Sequence, residues 1–192
     1  MARLMRITLI LLLMSFICCK RHYTPKPAGY LRIDFPEKTY QLYDSTCPFT
    51  FEYPVYGKIT SDTSRITEPC WINIEFPSFS GKIHLSYKTV NNNVNTYIED
   101  SRTLAYKHTV KADAISETLY SDEEQKVYGL LYEIKGDAAS NVQFYLTDSN
   151  RHFLRGSLYF NVQPNADSLA PVIDFIKDDI IHLVETVKWK NM

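Results

Sequence analysis

Apolar and polar residues alternate with a period of two along much of the chain, the signature of half-buried strands. Phe49, Phe51, Tyr53 and Val55 alternate with Thr50 and Glu52, and Pro54 marks the end or an edge. Ile72, Ile74 and Phe76 alternate with Asn73 and Glu75, and Pro77 closes that run. Ile83, Leu85 and Tyr87 alternate with His84, Ser86 and Lys88. Residues 115–120 form a weaker candidate, followed by a polar turn at 121–125, a strong strand at 127–134 and a loop at 136–140. Val142, Phe144 and Leu146 alternate again, and Leu154, Leu158 and Phe160 share one face of the last strand. Asp148, Ser149 and Asn150 are turn formers, so these two strands are expected to pair as an antiparallel hairpin.

Two segments have a helical period instead. Val94, Tyr97, Ile98, Ser101, Leu104, Ala105 and His108 recur every three or four residues, with candidate N-caps at Asn91, Asn92 and Asn93. Leu169, Val172, Ile173, Ile176, Ile180, Leu183, Val184 and Val187 form the second stripe. Asp167 or Ser168 is expected to cap it. Pro171 is then expected in the first turn, where a missing N–H matters little. Asp174, Lys177, Asp178, Glu185 and Lys188 fall on the wet side. The order of elements predicts an α+β fold: an antiparallel sheet flanked by a mid-chain helix and a C-terminal helix. That layout resembles the Mog1/PsbP-like fold, an analogy that carries no function.

The N-terminus has another pattern. Arg3 and Arg6 precede an apolar run at 7–17, and Cys18, Cys19, Lys20 and Arg21 follow at once. A spanning helix needs about 20 apolar residues, so the run reads as an export signal. A Cys at its end points to lipoprotein processing, in which the thiol becomes a thioether to diacylglycerol and that Cys becomes the first mature residue. Cys19 follows the small Cys18, whereas Cys18 follows the bulky Ile17, so Cys19 is the expected lipid site and Cys18 the alternative. The plain alternative is an ordinary secretory signal with two incidental thiols. Residues 1–18 are then the signal and residues 19–29 a tether stiffened by Pro25 and Pro27. Residues 30–192 form a single domain. The covalent lipid is the only non-protein group expected, and acyl chains such as palmitate anchor stably in pairs.

Composition narrows the choices. With 21 basic and 22 acidic residues, the formal net charge of −1 excludes a general nucleic-acid binder. The 14 Tyr and 10 Phe against 6 Gly favour strands. An export compartment permits a disulfide between Cys47 and Cys70, but two cysteines do not establish one. A core of this length needs no staple, so two separate packed thiols are the expectation and the bridge is the alternative.

Catalytic and cofactor patterns are sparse. The five His residues show no metal-motif spacing, and no HExxH, Cys-x-x-Cys, Gly-rich phosphate loop or G-x-S-x-G occurs. Asp178 and His182, four apart on a helix and near Glu185, could share a metal, but a surface carboxylate–imidazole pair is the simpler reading. No catalytic, cofactor-binding or metal residues are assigned. Arg151, His152 and Arg155 concentrate charge on the last hairpin. Arg151 and Arg155 are the candidate partner contacts, taken to be exposed, and His152 points to the opposite strand face. The plain alternative is an ordinary hairpin whose Arg side chains lie over aromatic neighbours.

Several long irregular strings carry a family resemblance: TPKPAGYLRIDFPEKTY (24–40), CPFTFEYP (47–54), CWINIEFPSF (70–79), IHLSYK (83–88), EDSRTLAYKHTVKADAI (99–115), YGLLYEIKGDAAS (128–140), FLRGSLYFN (153–161) and DSLAPVIDFIKDDIIHLVETVKW (167–189). With these the sequence resembles the gliding-motility lipoprotein family GldD of the Bacteroidota. The resemblance implies a lipid-anchored envelope protein needed for gliding and for type IX protein secretion. It implies a periplasm-facing position, expected at the outer membrane, and partners among other gliding and secretion envelope proteins and lipoproteins. It brings no catalytic motif. A non-catalytic assembly or stabilising factor is the resulting expectation. A periplasmic enzyme, or a small-ligand carrier with an unrecognised site, is the alternative.

Overall fold

The alternating segments fold as strands because each presents one apolar face to a common core. In this computed structural model the structure describes Met1 and residues 33–190, and the fold below is that of the unit Asp34–Met192. The signal, Cys18, Cys19, the tether and the domain start near Tyr30 lie outside the described residues.

The strands are β1 (Tyr40–Asp44), β2 (Phe49–Pro54), β3 (Lys58–Ser61), β4 (Ile72–Phe76), β5 (Gly81–Thr89), β6 (Ala112–Asp122), β7 (Val127–Gly136), β8 (Val142–Thr147), β9 (His152–Phe160) and β10 (Lys188–Trp189). The helices are α1 (Val94–Tyr106) and α2 (Ala166–Thr186). The order β3-β4-β5-β9-β8-β7-β6 forms one sheet and β1-β2-β10 a second, with every pairing antiparallel. The fold is therefore α+β, and β8 and β9 make the expected hairpin.

The first face of the large sheet carries Ile72, Ile74, Phe76, Ile83, Leu85, Phe144, Leu146, Leu154 and Leu158, all buried. Helix α2 turns Val172, Ile176, Ile180, Leu183 and Val184 into this core. The small sheet joins it through Phe49, whose ring centroid lies 5.6 Å from that of Tyr87. Burying such side chains stabilises by about 1.5–3 kcal/mol each. The second face is covered differently. The connection from β5 to β6 must reach the far edge of the sheet, and α1 makes that crossing. It covers only part of the face, packing Ala105 against Tyr132, Ile134 and Ala138, and Tyr97 beside Phe153 at 5.4 Å.

Three expectations are corrected. Cys47 and Cys70 are not separate thiols: they form a disulfide, with Cα atoms 5.6 Å apart. Helix α2 starts earlier than its apolar stripe, because Asn165 caps it by accepting from the Ser168 N–H at 3.2 Å. Pro171 consequently lies inside the helix rather than in its first turn, and its ring forgoes one backbone hydrogen bond. Strands β1, β3 and β10 have no counterpart in the sequence expectations. They are short, and β1 leaves Leu42 exposed, so none shows a sustained alternation.

Candidate functional site

Two side chains hold the β8–β9 turn: Thr147 Oγ1 accepts from the Ser149 N–H at 2.9 Å and donates to the His152 carbonyl at 2.6 Å, and the Asp148 carboxylate gathers three backbone donors. Asp148 Oδ1 accepts from the N–H groups of Asn150 (3.0 Å), Arg151 (2.7 Å) and His152 (2.8 Å). Burial alone would raise the Asp148 pKa, but these backbone donors hold it below the ordinary carboxylate range. Ser149 takes the left-handed conformation that the turn needs, at φ 66°. Arg151 emerges exposed from this turn. His152 turns to the first face, where Nδ1 meets the Tyr87 hydroxyl at 2.8 Å and the ring stacks on Trp189 at 5.0 Å. Burial, aided by the charge of Arg151, lowers the imidazole pKa against the pull of Asp148.

Arg155 does not accompany Arg151 on an open surface. It sits within β9 on the second face, only partly exposed, and its Nη2 donates to Gln143 Oε1 at 2.7 Å. The physical reason is register. Arg155 pairs with Ser86 on one side and Tyr145 on the other, in the middle of the sheet rather than at the turn. Burial pulls its pKa below the ordinary guanidinium value, against an opposing effect of Tyr159. Among the described residues no carboxylate lies within ion-pairing distance of it.

Beside it runs a polar cross-strand row. Asn73 pairs with His84, His84 with Ser157, and Ser157 with Gln143. Asn73 is 4 % exposed, Ser157 1 % and Gln143 2 %, yet Asn73 Oδ1, Ser157 Oγ and Gln143 Nε2 have no hydrogen-bond partner among the described residues. Leaving such an atom buried and unpaired costs about 1–3 kcal/mol. Asn73, Ser157 and Arg155 line a groove of about 300 Å³ with Trp71, Asp62 and His84. In the sequence, Asn73 and His84 stood out only as polar positions of their strands, and Gln143 and Ser157 carried no reading. Their common signal was parity: each occupies the face opposite the apolar alternation of its strand. His84 is exposed, and its pKa is lowered first by desolvation and then by the charges of Lys82 and Arg155, against Asp62 and Glu75.

A second cluster forms around α2. Asp179 is 1 % exposed and accepts from Tyr56 OH (2.5 Å), Tyr40 OH (3.1 Å) and Lys38 Nζ (3.1 Å). Burial, then Asp179, pushes the Tyr40 phenol up to about 12, and Tyr56 is raised as well. Asp178 and His182 go to different partners: Asp178 lies 3.4 Å from Lys38 Nζ, while His182 Nε2 meets Glu52 Oε2 at 2.7 Å and its ring stacks on Tyr40. Among the described residues no three His, Cys, Asp or Glu side chains are grouped to hold a metal ion. No described helix is long and apolar enough to cross a membrane.

A family model described as gliding motility lipoprotein GldD matches residues 20–189. No curated protein sequence matches. Among solved structures, the chain is similar to the solution structure of cyanobacterial PsbP (CyanoP) from Synechocystis sp. PCC 6803. The two share 11 % identity with a TM-score of 0.50, covering 85 % of this chain and 99 % of the other. At that identity the likeness shows a PsbP-like fold and nothing further.

Proposed function

The chain belongs to the gliding motility lipoprotein GldD family, and from that membership we propose that it is a non-catalytic assembly or stabilising factor of the gliding and type IX secretion machinery. In this reading a lipid on Cys19, or on Cys18 if processing falls one residue earlier, anchors the mature chain. The stiff segment at 20–29 carries the α+β domain into the periplasm from the outer membrane. The partners are other envelope proteins and lipoproteins of the same machine.

The family match over residues 20–189 carries the reading. The domain suits it: both helices pack on the seven-stranded sheet, and the Cys47–Cys70 disulfide ties the loop before β2 in the small sheet to the loop before β4 in the large one, a braced scaffold on which neighbours can assemble. The test is in-envelope crosslinking of the full lipidated chain, followed by affinity capture and mass spectrometry, beside a strain lacking the protein. Recovery of secretion-machine components, with gliding and secretion lost in the deletion, is the expected result. Normal secretion and gliding in the deletion strain overturns the assembly role.

A further inference from the structure

Among the described residues, the groove on the second sheet face combines a charge with no carboxylate in ion-pairing distance and polar atoms without partners. Arg155 stays cationic at any physiological pH, and among the described residues the one side-chain hydrogen bond of its guanidinium is to the neutral Gln143. Ser157 Oγ is a free donor and Asn73 Oδ1 a free acceptor, on residues that both line the groove. We propose that this groove binds a carboxylate bearing a neighbouring N–H or O–H donor. Arg155 and Ser157 hold the carboxylate, Asn73 accepts from the adjacent donor, and the Trp71 ring walls the stem. The inference goes beyond the family reading and does not rest on it.

The other charges on this face select the ligand. Glu75 is occupied by Lys82 at 2.9 Å and by Thr60 at 3.2 Å. Asp62 lines the groove with its oxygens engaged by Ser64 Oγ at 2.5 Å and Ser64 N at 3.4 Å. That acidic wall favours a monoanion over a dianion such as phosphate. Gln143 positions the guanidinium by fixing Nη2, which leaves the remaining N–H donors of Arg155 for the ligand. A carboxylate beside an amide N–H occurs in two sources, a small free N-acyl amino acid and an acidic side chain on a partner's backbone.

The test uses the full lipidated chain in detergent with isotope-labelled arginine, read by calorimetry and by the Arg155 side-chain NMR signal. The probes are N-acetylglycine, acetyl-Ala-Glu-Ala-amide, the neutral N-acetylglycinamide and inorganic phosphate. Saturable binding of at least one carboxylate probe that shifts Arg155 is expected, with no such response to the neutral amide and a weaker one to phosphate. Tighter binding of the tripeptide assigns a protein side chain, and tighter binding of N-acetylglycine a small ligand. Arg155→Gln is expected to weaken binding about tenfold or more, the loss of one charge-assisted contact, while Arg151→Gln leaves it unchanged. Ser157→Ala, which removes one unpaired oxygen, checks the site should Arg155→Gln misfold, and it too weakens binding. No saturable shift with either carboxylate, equal binding of the neutral amide, or undiminished binding in folded Arg155→Gln or Ser157→Ala overturns the proposal.

Discussion

The Tyr56 hydroxyl donates a 2.5 Å hydrogen bond to the buried carboxylate of Asp179, across 123 residues of sequence. Tyr40 and Lys38 donate to the same carboxylate, so one anion on α2 ties the N-terminal part of the domain to its C-terminal helix. A buried carboxylate is tolerated only when it is paired and hydrogen-bonded, and here three donors meet that need.

This arrangement makes stability sensitive to alkali. Phenols titrate near about 10 in an unfolded chain, whereas burial and then Asp179 push Tyr40 up to about 12. Tyr132, in the other core, is also pushed up to about 12, mainly by burial. The folded state therefore holds these protons more tightly than the unfolded state. The contribution is complete below pH about 10 and is lost as pH rises through about 12. Melting temperature is expected to fall across that window, together with delayed phenolate absorbance. In Asp179→Asn, Tyr40 should titrate earlier, but not at its ordinary value, because burial remains. Ordinary titration of Tyr40 in the native protein is the contrary outcome.

The disulfide closes a loop of 23 residues in sequence separation. Constraining the unfolded chain over such a loop stabilises by about 3 kcal/mol. The double variant Cys47→Ser, Cys70→Ser should lose about that much in denaturant unfolding, and reductant should reproduce the loss in the native protein. An unchanged midpoint in both contradicts this.

Much of this fold was legible because the large sheet keeps one face apolar. Ile72, Ile74 and Phe76 announce a strand with no knowledge of their neighbours, since period two survives wherever one face is buried. Asp179 was legible in principle: it follows Ile176 by three and precedes Leu183 by four, which places it on the buried stripe of α2. Its charge concealed this, because a carboxylate there makes sense only once Tyr40, Tyr56 and Lys38 arrive from elsewhere in the chain. Arg155 shows the opposite case. Its strand face could be read from Leu154 and Leu158, but its enclosure depends on the path of α1 and the order of strands. Alternation carries neither. The disulfide depends likewise on two loops meeting in space.

Ile176 offers a direct check on the core. It is fully buried, and its Cδ1 lies 3.3 Å from where a Cβ on Gly81 would stand. Ile176→Asp puts an unpaired carboxylate there, at a cost of several kcal/mol. That approaches the whole stability of many domains, about 5–15 kcal/mol. The variant should be unfolded or melt far below the native protein by circular dichroism. An unchanged melting temperature contradicts the packing of α2.

Gly156 tests the same core from the sheet side. A Cβ at this position would stand 2.2 Å from the Phe144 ring on the neighbouring strand, well inside van der Waals contact. The ring lies close against the backbone, so even one methyl must displace it. Gly156→Ala should cost about 1–3 kcal/mol, the range for overpacking, read as a lowered denaturation midpoint with retained secondary structure. Because Phe144 is the obstacle, Phe144→Leu in the same chain should recover part of the loss.

The two arginines of the hairpin region should separate when each is reversed in charge. Arg151 leaves an exposed turn whose geometry is set by Asp148 through the backbone, not by the Arg151 side chain. Arg151→Glu is therefore expected to change stability by no more than about 0.5 kcal/mol, as at other open surface positions. Arg155→Glu instead places a carboxylate beside the Gln143 oxygen that now accepts from the guanidinium. Two acceptors then face each other in a partly buried site where, among the described residues, no carboxylate lies within ion-pairing distance of Arg155. That variant should melt measurably lower, so reduced partner recovery from it mixes folding with contact. Arg151→Glu is free of that ambiguity. If the hairpin tip touches a partner in the envelope, crosslinked recovery should drop with Arg151→Glu at unchanged melting temperature. Undiminished recovery removes Arg151 from the interface and leaves the hairpin as an ordinary turn.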